Sequence, residues 1–450
     1  MATVQRPRIY EGTRIPSPVP TILTVPPDLA ETGDVLQVNF GPNHPSTHGV
    51  LRLVVDLNGE RVVGIKAVVG YLHTGFEKTM EHKTWWKCIP YGPRIDYVSF
   101  QNNELVFVLA IEQLLELETP PKATWMRTLL CELNRIHSHL IWLGTSALEI
   151  PRKASYMRML LCELNRIHSH LIWLGTSALE LGAISMFWYC FRERDQILDL
   201  SELVTGMRMH TRYFQAGGLA EDVPPGFAAE CRKFVEWMPK AIDEYEAILS
   251  RNEIWLERTR GIGLLSAEDA IALGQSGPVL RASGVDWDLR RDRPYLAYPA
   301  MDFDIPVYPN GDVYDRYRAR IDEMRQSVRI VEQCLEGMPE GPWTADDRKV
   351  VLPPRHELHT SMESLIHHFK IVTEGYRVPE GEVYVTVESP RGELGCYAVS
   401  DGGAKPWRVK FRAPSFVALE ATATCMTDAL VADLIAIVGS LDSVMGEVDR

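Results

Sequence analysis

The chain has 450 residues, with 47 Lys and Arg against 60 Asp and Glu, for a formal net charge of −13 at pH 7. That balance argues against a nucleic-acid surface and a polybasic membrane anchor, both of which need clustered cations. The length fits about three ordinary domains or one large core with insertions. The longest apolar runs, such as residues 105–111, fall far short of the ~20 residues that span a bilayer, and no apolar segment follows Arg6 and Arg8 as in a secretory signal. A soluble chain on a bacterial cytoplasmic face is expected.

In chain order, residues 1–33 carry Pro7, Pro16, Pro18, Pro20, Pro26 and Pro27 and read as an extended arm suited to lying on a neighbouring subunit. Residues 34–75 form a β region, with strand-like runs at 35–40, 50–57 and 61–69. The last two are joined at Asn58-Gly59, which tolerates the positive φ of a type I′ hairpin turn. Residues 76–375 read as a helical core. Helical spacing begins at Leu105, Val108, Leu109 and Glu112 and continues to about residue 256, with further helices at 266–273, 314–335 and 360–374. Alternation returns at 382–411, within a C-terminal β region at 376–415. Residues 416–450 supply a helix over 418–438 and a tail. The expected class is α+β and predominantly helical, a central bundle of long helices flanked by β structure at both ends.

A tandem repeat interrupts the core. Residues 120–150 and 151–181 are 31-residue copies that differ at five positions: Pro121/Arg152, Thr124/Ser155, Trp125/Tyr156, Thr128/Met159 and Ile150/Leu181. Thirty-one residues is about 8.6 helical turns, so one continuous helix would present its two apolar faces out of phase, and Pro151 breaks it. Two separate helices are expected.

Eight cysteines, Cys88, Cys131, Cys162, Cys190, Cys231, Cys334, Cys396 and Cys425, stand alone without a Cys-x-x-Cys pair. Zinc, iron–sulfur and nickel–iron centres draw on closely spaced thiolates, so buried reduced thiols are expected and no metal site. His356-Glu357-Leu358-His359 lacks the histidine spacing of a zincin. His367-His368, and the pairs His137/His139 and His168/His170, send their rings to different sides of a helix.

The chemistry concentrates in three segments: Gly41-Pro42-Asn43-His44-Pro45-Ser46-Thr47-His48-Gly49, Gly70-Tyr71-Leu72-His73-Thr74-Gly75-Phe76-Glu77-Lys78 and Tyr91-Gly92-Pro93-Arg94-Ile95-Asp96-Tyr97. Imidazole and phenol both donate hydrogen bonds and release protons, as a carbonyl substrate that takes two electrons and two protons requires. Together with Phe191-Arg192-Glu193-Arg194, Thr205-Gly206-Met207-Arg208-Met209-His210, Leu280-Arg281-Ala282-Ser283-Gly284, Ser361-Met362-Glu363, Arg391-Gly392-Glu393-Leu394-Gly395 and Gly446-Glu447-Val448-Asp449-Arg450, these segments resemble the D subunit of proton-pumping NADH-quinone oxidoreductase, respiratory complex I.

The resemblance implies a fold like that of the nickel–iron hydrogenase large subunit and a quinone headgroup held between His48 and Tyr97 as proton donors. Asp442 and Val444 would line the cavity. Glu180, or its duplicate Glu149, would take the place of an aspartate that hydrogen-bonds the loop histidine and raises its pKa, and Arg94 and His210 would face the terminal iron–sulfur cluster, which the B subunit of the complex would hold. It further implies the B subunit, the C subunit and the membrane arm as partners and ubiquinone or menaquinone as substrate. NADH, FMN and the iron–sulfur clusters would belong to other subunits, with no cofactor on this chain alone. The location would be peripheral, on the cytoplasmic face of the bacterial membrane or on the mitochondrial inner membrane in a eukaryote. A hydrogenase-like catalyst would need two Cys-x-x-Cys pairs, which are missing here; a noncatalytic scaffold is the other alternative.

Overall fold

A computed structural model describes residues 35–44, 47–115, 151–345, 347, 349–427 and 429–450. Residues 1–33, the first repeat copy and Glu149 lie outside the described residues.

The N-terminal sheet is antiparallel, with strands β1 (Leu36–Phe40), β2 (Arg52–Asn58) and β3 (Arg61–Val68) in that order. The β2–β3 hairpin forms at the place the dipeptide marks, but its two-residue loop is Gly59-Glu60: Asn58 pairs with Arg61 as the last residue of β2 and only Gly59 takes a positive φ, 61°, so the type I′ turn centred on Asn58-Gly59 does not form. Along β2 the side chains alternate, so Leu53, Val55 and Leu57 enter a core shared with the C-terminal helices.

Next come the short helices α1 (Phe76–Met80) and α2 (Gly92–Ile95), and then the longer α3 (Phe100–Leu114), α4 (Arg152–Glu180), α5 (Ile184–Thr205), α6 (Phe227–Leu249), α7 (Val313–Gly337) and α8 (Met362–Thr373). The second repeat copy is α4, entered at Pro151 and packed against α5 and α7. Its burial extends around most of its circumference, which is the mark of a central helix.

The polar residues of α4 are tolerated in the core because they are paired. Arg158 donates to Glu112 at 3.0 and 3.2 Å. Glu163 accepts from Tyr298 at 2.6 Å and Ser327 at 2.7 Å and pairs with Arg166 and Arg290, and His170 meets Glu323 at 2.8 Å. The ring of His168 lies instead edge-on to Phe100, so the two repeat histidines do diverge.

A second antiparallel sheet, β4 (Gly381–Ser389), β5 (Gly392–Ser400) and β6 (Arg408–Arg412), packs on α3. The chain closes with α9 (Pro414–Cys425), α10 (Leu434–Leu441) and α11 (Met445–Asp449). The single helix expected over 418–438 is therefore two. The intervening backbone is drawn into the N-terminal sheet, where Val62 N–H donates to Ala429 O at 3.1 Å and Val431 N–H to Glu60 O at 2.9 Å, so tertiary pairing overrides helical periodicity. No described helix is long and apolar enough to cross a membrane. All seven described cysteines are buried and free.

Candidate functional site

The β1–β2 connection carries His48. Thr47, wholly buried, anchors this loop by donating its hydroxyl to His44 O at 2.8 Å and Pro42 O at 3.1 Å. Gly41, at φ 82°, lets the loop fold back on itself, since a Cβ there would lie 2.3 Å from Leu51 O and 2.7 Å from Thr47 Oγ1. His48 follows at φ 53° and is exposed in the isolated chain. Protein around the loop nonetheless lowers its pKa. The charge of Asp442 opposes that fall and the charge of Arg391 adds to it, which favours a neutral imidazole near pH 7.

Tyr97 sits between α2 and α3 in a turn set by Asp96, whose Oδ1 accepts the N–H groups of Val98 at 3.0 Å and Ser99 at 2.9 Å. Its half-buried ring lies against α11: a Cβ on Gly446 would be 3.1 Å from Tyr97 Cε1 and 2.7 Å from Ile95 O. Burial raises the pKa of the phenol, the Asp96 charge raises it further, and Arg391 opposes both. Tyr97 is thus a persistent hydrogen-bond donor.

Arg391 lies in the β4–β5 turn and joins these parts. Its Nη1 donates to Asp96 Oδ2 at 2.8 Å and its Nε to Asp442 O at 3.0 Å, with Asp442 Oδ2 at 3.5 Å. Asp442 ends α10 in the left-handed region at φ 53°, which turns its backbone carbonyl towards the guanidinium. Glu447 on α11 belongs to the same group. Burial and Asp96 push its pKa up to about 7 against the pull of Arg391 and Ser415. The Ser415 hydroxyl and N–H both donate to its Oε2, while its buried Oε1 has no hydrogen-bond partner among the described residues.

The remaining expected site residues are placed as follows. Val444 is buried at the start of α11, its N–H directed to Ser415 Oγ at 3.3 Å. Glu180 ends α4 facing α10, where its Oε2 would lie 3.5 Å from a Cβ on Gly439, and it borders a hollow with Trp173, Ser177 and Trp255. The carboxylate that acts to raise His48 is Asp442. A net rise in the histidine's pKa is expected from a carboxylate neighbour, yet the partial loss of hydration imposed by the protein around the loop outweighs it. Arg94 is exposed on α2 and donates to Pro90 O. His210 lies beyond α5 at φ 55°, its buried Nδ1 without a hydrogen-bond partner among the described residues. Among the described residues no group of three His, Cys, Asp or Glu side chains could hold a metal.

Arg391, Asp96 and Glu447 take no individual role from the sequence alone, although all three fall within the motifs that stand out in it. The signal available is the charge of each segment: an arginine in one, an aspartate beside Tyr97 in another, and an acid beside Gly446 in the third.

Residues 180–450 match the family described as "Respiratory-chain NADH dehydrogenase, 49 Kd subunit", which makes the chain a subunit of a respiratory oxidoreductase complex. It is 50% identical over 443 residues, 98% of this chain and 100% of the relative, to the NADH-quinone oxidoreductase D 2 subunit of Chloroflexus aurantiacus. It is 50% identical to the D 2 subunit of Roseiflexus sp. over 96% of this chain and 97% of that one, and 48% identical to the D 1 subunit of Herpetosiphon aurantiacus over 99% and 100%. The chain belongs to the D-subunit family of NADH-quinone oxidoreductase.

Proposed function

We propose that this chain forms, with the cluster-bearing B subunit of the complex, the cavity in which quinone is reduced, and that His48 and Tyr97 hold the two carbonyl oxygens of the headgroup. The observation that carries this reading is that one buried arginine, Arg391, draws together the residue before Tyr97, through Asp96 Oδ2 at 2.8 Å, and the backbone of Asp442 at 3.0 Å. Quinone takes two electrons and two protons to become quinol. The electrons come from the terminal iron–sulfur cluster of that neighbouring subunit, beside Arg94 and His210.

The phenol of Tyr97 donates its proton to one oxygen. The neutral imidazole of His48 donates a hydrogen bond to the other and relays the second proton. Asp442 and Val444 line the polar and apolar sides of the cavity, and Glu180 or Glu149 steadies the histidine loop. The chain itself holds no flavin and no cluster. In this reading it has the hydrogenase-large-subunit-like arrangement, meets the C subunit and the membrane arm, and lies peripherally on the cytoplasmic face, where quinone reduction is coupled to proton translocation.

Tyr97→Phe and His48→Gln in the assembled complex test this. Quinone reduction is expected to fall about 10²- to 10⁴-fold, the range for loss of a proton-transfer group, with assembly and electron entry from NADH retained. Wild-type quinone turnover in both variants contradicts the proposal.

A further inference from the structure

We propose that Arg391, with the carboxylates of Asp96, Asp442 and Glu447 around it, is a positioning residue that sets the protonation of His48 and Tyr97 together, so that the two proton donors act as one unit. The inference rests on the reading that those two residues serve quinone reduction, and it adds a residue to which that reading gives no part in the chemistry.

The argument is geometric. Arg391 comes from the β4–β5 turn, Asp96 from the α2–α3 connection, and Asp442 and Glu447 from the end of α10 and the α11 that directly follows it, so three stretches distant in sequence meet at one cation. The turn is held in place by close backbone approach: Gly392, at φ 127°, would bring a Cβ within 2.5 Å of Ser276 Oγ and 2.7 Å of Ser276 C. Arg391 is itself buried, at 5% exposure, and its fork is shared between Asp96 Oδ2 at 2.8 Å and Asp442 O at 3.0 Å. It therefore fixes the residue before Tyr97 and the backbone of the acid that acts on His48 in a single contact set.

Glu447, whose buried Oε1 has no hydrogen-bond partner among the described residues, gives this group a third acid, on which Asp96 and Arg391 act in opposite directions. Asp96 and Asp442 contact the guanidinium directly, and its charge acts with or on those of Tyr97 in the α2–α3 connection, Glu447 of α11, His48 of the β1–β2 loop, His168 of α4 and Arg320 of α7. Two cations, Arg391 and Arg320, among three acids cannot neutralise all of them. A proton leaving Tyr97 or reaching His48 is therefore felt across the whole group.

The sign follows from the charge. Arg391 favours the neutral form of His48 and the ionised form of Tyr97, so its removal raises both pKa values. In the assembled complex, Arg391→Gln is expected to move both limbs of the quinone-reduction pH profile to higher pH and to lower kcat about 10- to 100-fold. Arg391→Lys keeps the charge and loses the fork, so its limbs stay within a few tenths of a unit of wild type while kcat falls. If Arg391→Gln fails to assemble, Asp442→Asn carries the test: losing that carboxylate moves the acid limb to lower pH.

Profiles of Arg391→Gln, or of Asp442→Asn in its place, that superimpose on wild type overturn the proposal. So does an Arg391→Lys profile shifted as far as that of Arg391→Gln. If Tyr97→Phe and His48→Gln abolish turnover while the Arg391 profiles do not move, only this inference fails. If Tyr97→Phe and His48→Gln are fully active, the functional reading beneath it fails.

Discussion

Gly446→Ala tests the packing behind the candidate proton donor. The added methyl would lie 2.7 Å from Ile95 O and 3.1 and 3.3 Å from Tyr97 Cε1 and Cδ1, and the first of these separations is closer than Cβ atoms sit in folded proteins. Backbone carbonyl and ring must therefore yield by several tenths of an ångström, at an overpacking cost of about 1–3 kcal/mol. A misplacement of about 1 Å at a reacting group costs about 10²-fold in rate, so a shift of about 0.5 Å in the Tyr97 ring should slow quinone reduction about tenfold. The assay compares NADH oxidation by quinone with NADH oxidation by an artificial acceptor that draws electrons before the quinone site. Only the first should fall. Gly381→Ala, where the nearest atom to the new Cβ is Leu114 Cδ2 at 3.7 Å, should leave both rates unchanged. Wild-type quinone turnover in Gly446→Ala would refute the reasoning that Tyr97 acts from a fixed position against α11.

Glu163→Gln removes the charge that Arg166 and Arg290 share in the core, and should destabilise the chain by about 3–5 kcal/mol, read as faster hydrogen exchange along α4 in the complex. Asp449→Ala removes the acceptor of the Gly70 and Leu72 N–H groups, both at 2.7 Å. Exchange at those two amides should accelerate by at least tenfold, since a charged hydrogen bond contributes about 1.5–3 kcal/mol. Burial, with the charge of Arg194 adding to it, holds the His168 pKa down at about 3. The unfolded chain takes up a proton below about pH 6.5 that the folded chain refuses, so stability should drop between about pH 6.5 and 3 at up to about 1.4 kcal/mol per pH unit. Burial would raise the Glu163 pKa, but Arg166 and Arg290 outweigh it and hold it down. Its contribution is present above the ordinary glutamate range and is lost as pH falls through the depressed value, steepening the acid side further. A His168→Phe chain whose stability falls as steeply as wild type across that window would contradict the assignment.

Local signals in the sequence carried far. The β2–β3 hairpin, the alternation along β2 and the periodicity of α7 and α8 are properties of a few neighbouring residues, and each element forms within about two residues of its expected bounds. The break between α9 and α10 was not legible, because the 429–431 segment leaves the helix to pair with Glu60 and Val62, a partner the local pattern cannot announce. His48 and Tyr97 stood out as residues able to donate protons within motifs. Arg391 and Glu447 did not, because their importance lies in meeting Asp96 across the fold, and an arginine in a turn or an acid near the chain end reads as a solvated charge until that contact is seen. Asp442 was expected as a cavity-lining residue, but its reach to Arg391 depends on a left-handed cap at φ 53° that its own neighbours do not dictate.

The central claim is that quinone binds between the His48 loop and Tyr97, and photoaffinity labelling of the assembled complex tests it most directly. A probe with a photoreactive group on the quinone ring, followed by peptide mapping, should label the 41–49 and 91–97 segments and be displaced by excess quinone. Displaceable labelling confined to other segments or other subunits, with neither of these two peptides modified, would contradict it.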